Sequence, residues 1–130
     1  MEFLRSPRNW VSGLGVAVLA LAVPHFVDDF LYGMPAEFGL TNPQAQILGG
    51  LFFGASAGVL VLAARGRRAG YFGTLVLGAL LSAAAALKHF PLMAALGPYW
   101  GGALSEGAIL GLFVSGVALA GASVAALRSR

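Results

Sequence analysis

The chain has 130 residues, of which 58% are hydrophobic and 10% charged, and its net charge is +3. A soluble domain carries about 25% charged residues, so this composition, with a mean hydropathy of +0.84, excludes a large soluble catalytic domain and a disordered chain. The absence of cysteine excludes disulfides, thiolate metal sites and iron–sulfur clusters. The basic residues form no stripe with aromatic residues, so we expect no nucleic acid as a partner.

Four apolar segments are predicted to be transmembrane helices. They comprise residues 10–31, 45–64, 70–87 and 101–127. Each is long enough to span the hydrocarbon core, because about 20 residues at ~1.5 Å rise cover ~30 Å. Short links between them predict an all-α fold, an antiparallel bundle of four transmembrane helices that forms a single domain over residues 1–130.

The basic residues predict the orientation of the bundle. Seven arginines lie on one side of the predicted membrane, and only Lys88 lies on the other; the arginines are Arg5, Arg8, Arg65, Arg67, Arg68, Arg128 and Arg130. Cytoplasmic loops carry the excess of arginine and lysine in membrane proteins. We therefore expect a multi-pass protein with both termini in the cytoplasm and the lipid bilayer as its surroundings.

Several short motifs recur in the second half of the chain at nearly equal spacing. His25-Phe26 recurs as His89-Phe90, Gly50-Leu51-Phe52 as Gly111-Leu112-Phe113, and Arg65-Gly66-Arg67 as Arg128-Ser129-Arg130. Two interpretations stay open. The recurrence indicates either a parallel repeat of two helical hairpins or a coincidence in a sequence of low complexity.

Small residues at four-residue spacing predict where helices touch. The second helix carries Gly50, Gly54 and Gly58, and the fourth carries Gly107 and Gly111. In lipid, helices associate where small side chains let backbones approach. Packing inside the bundle is the favoured interpretation, and a homo-oligomer or a docking face for another membrane subunit is the alternative.

Ionisable residues inside the membrane segments cluster at the predicted outer side. Histidine and two aspartates lie at i, i+3 and i+4 near the end of the first helix, a basic pair ends the third helix, and one glutamate lies near the start of the fourth. These residues are His25, Asp28, Asp29, Lys88, His89 and Glu106. Charged groups are costly in a bilayer and usually functional, so we expect one polar cavity that contains all six.

This cluster has four interpretations. His25 and His89 with a carboxylate are a nitrogen and oxygen ligand set that suits a divalent metal, and the same two histidines on separate helices could hold a b-type haem. A protonatable pocket for a quinone or another small amphiphile is the third. In the fourth, the network is structural, with Lys88 neutralising Asp28 or Asp29 and His25 bonded to Glu106. The sequence favours no cofactor among these.

The chain resembles the DoxX-like group of small four-helix membrane proteins. The resemblance lies in Pro35, Phe38-Gly39-Leu40, the glycine-rich second helix ending in Arg65-Gly66-Arg67-Arg68, and Glu106. It implies a prokaryotic inner or plasma membrane and a role beside an oxidoreductase, with Glu106 as the position carried over. His25-Phe26-Val27-Asp28-Asp29 is not part of that resemblance.

The function expected from the sequence is that of an accessory subunit of a respiratory or redox membrane complex, whose outer pocket contacts quinone or lipid. Such a subunit would not be an enzyme on its own, and the serines show no nucleophile motif. The alternative is a haem-binding or metal-binding redox protein or small membrane enzyme that uses His25, His89 and the nearby carboxylates. A third hypothesis is an oligomeric transporter of small solutes.

Overall fold

The computed structural model describes residues 6–96 and 102–129, and nearly all of them are helical. In chain order the helices are α1 (Pro7–Leu31), the short α2 (Met34–Glu37), α3 (Asn42–Ala64), α4 (Arg68–Ala84), a π-helical segment (Ala85–His89), α5 (Phe90–Leu96) and α6 (Ala103–Arg128). Four stretches are long and apolar enough to cross a membrane: Pro7–Leu31, Asn42–Ala64, Arg68–Ala95 and Ala103–Arg128. Over the described part of the chain these findings confirm the all-α fold, and the four apolar helices fit a multi-pass membrane protein.

Local sequence signals explain where the helices begin and end. Pro7 occupies the first turn of α1, where its missing N–H leaves no partner unsatisfied. At the start of α3 the backbone N–H of Thr41 donates a hydrogen bond of 2.9 Å to Oε1 of Gln44, as in a capping box. Gly66 follows α3 at a φ of 70°, the left-handed conformation that glycine adopts without strain.

The third spanning helix differs most from its predicted bounds, residues 70–87. It begins at Arg68 and continues without interruption through the π-helical segment to Leu96. Pro91 has no N–H to donate to the Leu87 carbonyl four residues earlier, and the wider π turn just before it accommodates the missing bond. The stretch from Phe90 onward was expected to be a connecting loop because of its proline and glycines, and the structure corrects this as far as Leu96.

The long helices surround the bundle axis in the order α1, α3, α4, α6, so α1 and α4 lie across a diagonal. Neighbouring helices are antiparallel. Thr74 of α4 and Ser123 of α6 are hydrogen-bonded through their hydroxyl groups at 2.8 Å. The Ser82 hydroxyl, which donates to the Gly78 carbonyl at 2.8 Å, also lies 3.2 Å from the carbonyl oxygen of Phe113 in α6. Buried hydroxyl groups therefore fix the register between α4 and α6.

The glycines that let helices approach are not the ones that the spacing predicts. Gly50, Gly54 and Gly58 face open space, and an added Cβ there would meet no atom within 4 Å. The same holds for Gly107, whereas Gly111 contacts the side chain of Leu21. Packing inside the described bundle at the first four positions is therefore corrected: these glycines lie on outward faces of α3 and α6.

Close backbone approach occurs instead on two other pairs of helices. A Cβ at Gly70 would overlap the backbone of Ala63 in α3, and one at Gly78 would lie 2.5 Å from the carbonyl oxygen of Gly116 in α6. Because only glycine leaves room for these carbonyls and amides, α4 lies tightly between α3 and α6.

The outer surface of the bundle is apolar. Large side chains such as Val16, Leu51, Leu80 and Leu104 are exposed on different helices. A soluble monomer rarely exposes apolar surface on this scale. The surface is therefore suited to contact with lipid chains.

Candidate metal centre

The last turns of α1 bring a histidine and a carboxylate together. His25 and Asp29 are four residues apart, so they lie above one another on one face of the helix. Their side chains are 14% and 21% exposed, and His25 Nε2 lies 3.7 Å from Asp29 Oδ2. α1 continues through Pro24 to Leu31, which places both groups on a rigid element.

His89 reaches the same place from the opposite corner of the bundle. It is buried at the end of the π-helical segment. Its ring contacts the ring of His25 edge to face, with the centroids 4.7 Å apart and the planes at 77°. A π turn rotates the residues after it relative to a regular helix, and α1 and the π-helical segment are thereby joined across the diagonal.

His25, Asp29 and His89 form what we name the metal cluster. One ligand atom from each residue lies within 4.8 Å of the other two. Metal–nitrogen and metal–oxygen bonds of about 2.1 Å require ligand atoms roughly 3–3.5 Å apart in a tetrahedral site, so small side-chain rotations would close the cluster on an ion. Two imidazoles and one carboxylate are a donor set for Zn²⁺, Fe²⁺ or Mn²⁺.

Two polar atoms of the metal cluster are buried without a hydrogen-bond partner among the described residues. They are Nδ1 of His25 and Oδ1 of Asp29. A buried polar group left without a partner costs about 1–3 kcal/mol. The arrangement is therefore incomplete as a hydrogen-bonded network, and it is suited to a ligand that binds lone pairs.

An ion pair closes the rim of the site. Lys88 Nζ donates to Oε2 of Glu37 in α2 at 2.8 Å and lies 5.4 Å from the centre of the Phe38 ring. The structural interpretation had given Lys88 an aspartate of α1 as its partner. Glu37 was not among the predicted site residues, although a lone lysine at this end of the bundle was a signal to look for a carboxylate in the first loop.

The other two predicted carboxylates, Asp28 and Glu106, are not members of the metal cluster. Asp28 is half-buried on α1, and Glu106 is half-buried in the first turn of α6. Neither lines the cavities beside the metal cluster. Of the six predicted residues, the structure thus brings His25, Asp29, Lys88 and His89 to one cavity.

Two cavities flank the metal cluster. The proximal cavity, of about 310 Å³, is lined by all three cluster residues, by Lys88 and otherwise mainly by apolar side chains. The distal cavity, of about 260 Å³, lies between α1, α2 and α3 and is apolar except for Asp29. An ion in the cluster would therefore face space that a further ligand can occupy.

No protein-family model, curated protein or solved structure matches this chain. The resemblance to the DoxX-like group stays a hypothesis. What the chain does is therefore inferred from the residues of the metal cluster and the cavities around them.

Proposed function

We propose that this chain is a membrane protein that binds a divalent first-row transition metal at the metal cluster. The observation that carries the proposal is the convergence of His25, Asp29 and His89 within 4.8 Å, from helices on opposite corners of the bundle. Three protein ligands leave coordination positions open, as in catalytic metal sites. A metal held there would supply Lewis-acid or, for iron and manganese, one-electron chemistry.

The geometry favours a single ion over a haem. The rings of His25 and His89 are in direct edge-to-face contact. A bis-histidine haem places its macrocycle between the two axial rings, and this contact leaves no space for one. A nearby carboxylate, Asp29, completes a mononuclear site instead.

The polar contacts of His25 and Asp29 also favour an ion over a purely structural network. His25 and Asp29 are too far apart at 3.7 Å for a strong hydrogen bond, and each keeps a buried atom without a partner. Metal binding would use lone pairs on these same side chains. A network built only for helix register would be expected to satisfy them.

A second candidate is the accessory subunit of a respiratory or redox membrane complex expected from the sequence. The apolar distal cavity beside Asp29 favours this candidate, because it offers space for a quinone or lipid. Under this hypothesis the metal cluster would serve a partner oxidoreductase, and the resemblance to the DoxX-like group would hold. Other subunits or a second copy of the chain would then cover part of the apolar surface.

We further propose that both termini lie in the cytoplasm of a prokaryotic inner or plasma membrane. The arginines support this orientation, since Arg8, Arg65 and Arg128 all lie at the end of the bundle opposite the metal cluster. A parallel repeat of two hairpins is part of the same hypothesis. The diagonal placement of α1 and α4 supports it, because a two-fold axis along the bundle would exchange these helices.

Metal binding by the purified protein tests the proposed function. The protein in lipid nanodiscs is titrated with Co²⁺, whose visible spectrum reports its ligands, and the bound metal is counted by mass spectrometry. We expect one ion per chain, and at least a tenfold loss of affinity in His25→Ala, His89→Ala and Asp29→Asn, in line with the loss of one of three ligands.

Asp28→Asn is the matched control, because it removes the neighbouring carboxylate outside the metal cluster. It should bind Co²⁺ more tightly than Asp29→Asn does, since it loses a neighbouring charge but no metal ligand. An equal loss in Asp28→Asn and Asp29→Asn would contradict the assigned ligands. A parent protein that binds no metal would overturn the proposal, and a Soret band in the purified protein would favour haem.

A further inference from the structure

The short helix α2 has a glycine on either side. Gly33 precedes it at a φ of 76°, and Gly39 lies just after it at a φ of 68°. A Cβ at either position would meet no atom within 4 Å, so glycine is required by the left-handed backbone and not by close packing. Such positions at the ends of elements absorb the backbone changes when a lid moves, and they are often small residues. Residues 33–39 are therefore bounded by two possible hinges.

The same segment forms a wall of both cavities beside the metal cluster. Met34 of α2 and Phe38, which follows α2, line the proximal and the distal cavity alike. Met34 is 4% exposed, and its burial favours the position of α2 in the structure. Rotation of α2 outward about its two glycines would withdraw both side chains and open the cavities to solvent.

An ion pair ties this segment to the third spanning helix. Among the described residues α2 packs against α1 and α3, and Glu37 reaches further, to Lys88 Nζ at 2.8 Å. The ammonium group of Lys88 also lies 5.4 Å from the centre of the Phe38 ring, a favourable cation–π distance. The side chains of Lys88 and Glu37 are 39% and 46% exposed. An ion pair this exposed is weak and is screened by salt, so it holds the segment in place reversibly.

From these observations we infer that residues 33–39 are a lid over the metal cluster, hinged at Gly33 and Gly39 and held shut by Glu37 and Lys88. The closed lid keeps solvent and ions from the cavities, and the open lid admits them. Lys88 directly precedes His89 on the π-helical segment, so the lid is fastened to the element that carries a member of the metal cluster. The inference goes beyond the proposed function, because it concerns access to the cavities whether or not they hold a metal.

A single introduced thiol reports how often the lid is open, because the chain has no cysteine. Ala45→Cys places the thiol at a buried position that lines the distal cavity. Gln46→Cys places it at the next residue, which is exposed, and is the matched control. Both proteins, in nanodiscs, are treated with a neutral maleimide that does not enter lipid. We expect the thiol at residue 45 to react at least about tenfold more slowly, because it reacts only from the open state.

Removal of either charge of the ion pair should open the lid more often. Glu37→Gln and Lys88→Gln should each speed the reaction at residue 45 by about threefold, in line with the loss of an exposed ion pair, and leave the rate at residue 46 unchanged. The exchanged pair, Glu37→Lys with Lys88→Glu, restores the attraction and should return the slow rate. Equal rates in the parent and both single variants would overturn the inference, and so would an exchanged pair that reacts as fast as the single variants.

Salt tests the same ion pair without a change at residue 37 or 88. At about 1 M salt the screening length falls to ~3 Å, so the reaction at residue 45 should become faster in the parent protein. Glu37→Gln has no ion pair to screen, and its rate should not change. An equal response to salt in both proteins would contradict the assignment of Glu37.

Release of Co²⁺ to an excess of chelator needs no introduced thiol, so it decides if Ala45→Cys disturbs folding. Lys88→Gln removes a positive charge that repels the ion, so by charge alone it would slow the release. A lid that opens more often predicts a faster release instead, and a release that is unchanged or slower would overturn the inference. A parent protein that binds no Co²⁺ would overturn the proposed function, and the thiol reaction would then decide the inference alone.

Discussion

Asp28 and Asp29 are adjacent in sequence and differ in their surroundings. Successive residues on a helix point about 100° apart, so Asp28 and Asp29, at i+3 and i+4, lie on opposite sides of the face of His25. In the structure it is the carboxylate of Asp29 that lies 3.7 Å from the imidazole. A single position along the helix therefore separates a member of the metal cluster from a charged neighbour outside it.

Proton competition predicts how metal affinity depends on pH. A histidine binds metal through a ring nitrogen that carries no proton. The metal and a proton therefore compete for that nitrogen in each imidazole. We expect the Co²⁺ affinity to fall once the pH drops below the pKa of an imidazole ligand, and to fall by up to about a hundredfold per pH unit where both histidines must lose a proton.

Spectral titration with Co²⁺ between pH 3 and pH 8 measures this dependence. His89→Ala should show a shallower slope, because one competing proton is gone, and Asp28→Asn should keep the parent slope. An affinity that does not fall even at the acidic end of this range would mean that the histidines are not ligands.

The sequence predicted some residues of the site and missed another, and the difference depends on where each side chain lies. Histidines and carboxylates in apolar helices are conspicuous because they are costly there, so His25, Asp29 and His89 could be selected directly. Glu37 could not be selected in this way, because it lies in a connecting segment, where charged side chains are common. Its contact with Lys88 depends on the position of α2, which four residues of sequence do not determine.

At the scale of helices, the effect of replacing a glycine on stability depends on whether the glycine faces the inside or the outside of the bundle. Gly78→Ala would place a Cβ 2.5 Å from the carbonyl oxygen of Gly116 and 3.0 Å from the amide nitrogen of Ala120. Backbone atoms cannot move aside as a side chain can. We expect this variant to lower the free energy of unfolding by about 1–3 kcal/mol.

Gly54→Ala is the matched comparison on an outward face. Its Cβ would meet nothing within 4 Å, and alanine favours a helix by up to about 1 kcal/mol over glycine, so the variant should be neutral or slightly stabilising. Unfolding titrations with a denaturing detergent measure the free energy of unfolding of both variants. Greater damage at residue 54 than at residue 78 would mean that the outward face of α3 is covered by another molecule.

The helix boundaries show what hydropathy can and cannot predict. Hydropathy located all four candidate spanning segments, since an apolar stretch of this length is typical of a transmembrane helix. It could not indicate that the third helix would pass Pro91, because proline usually ends a helix. The π-helical segment that makes this possible has no sequence signature of its own, yet it carries both Lys88 and His89.

For the whole molecule, the decisive test concerns orientation. Reporter fusions at Arg67 and after the last residue should be cytoplasmic, and a fusion at Asn42 should be external, because the arginines resist translocation. Inserting two arginines beside Asn42 should weaken this preference. An external reporter at Arg67 in the parent protein would reverse the orientation and place the metal cluster on the cytoplasmic side.

The contact of His25 with His89 has a mechanical consequence. It joins the first and third spanning helices, which are diagonal partners with little other contact. An ion bound there would act as a reversible cross-link in a chain that has no cysteine, closing a long loop of sequence and so reducing the freedom of the unfolded state. Release of the ion would loosen one end of the bundle and leave the glycine contacts at Gly70 and Gly78 to hold the other.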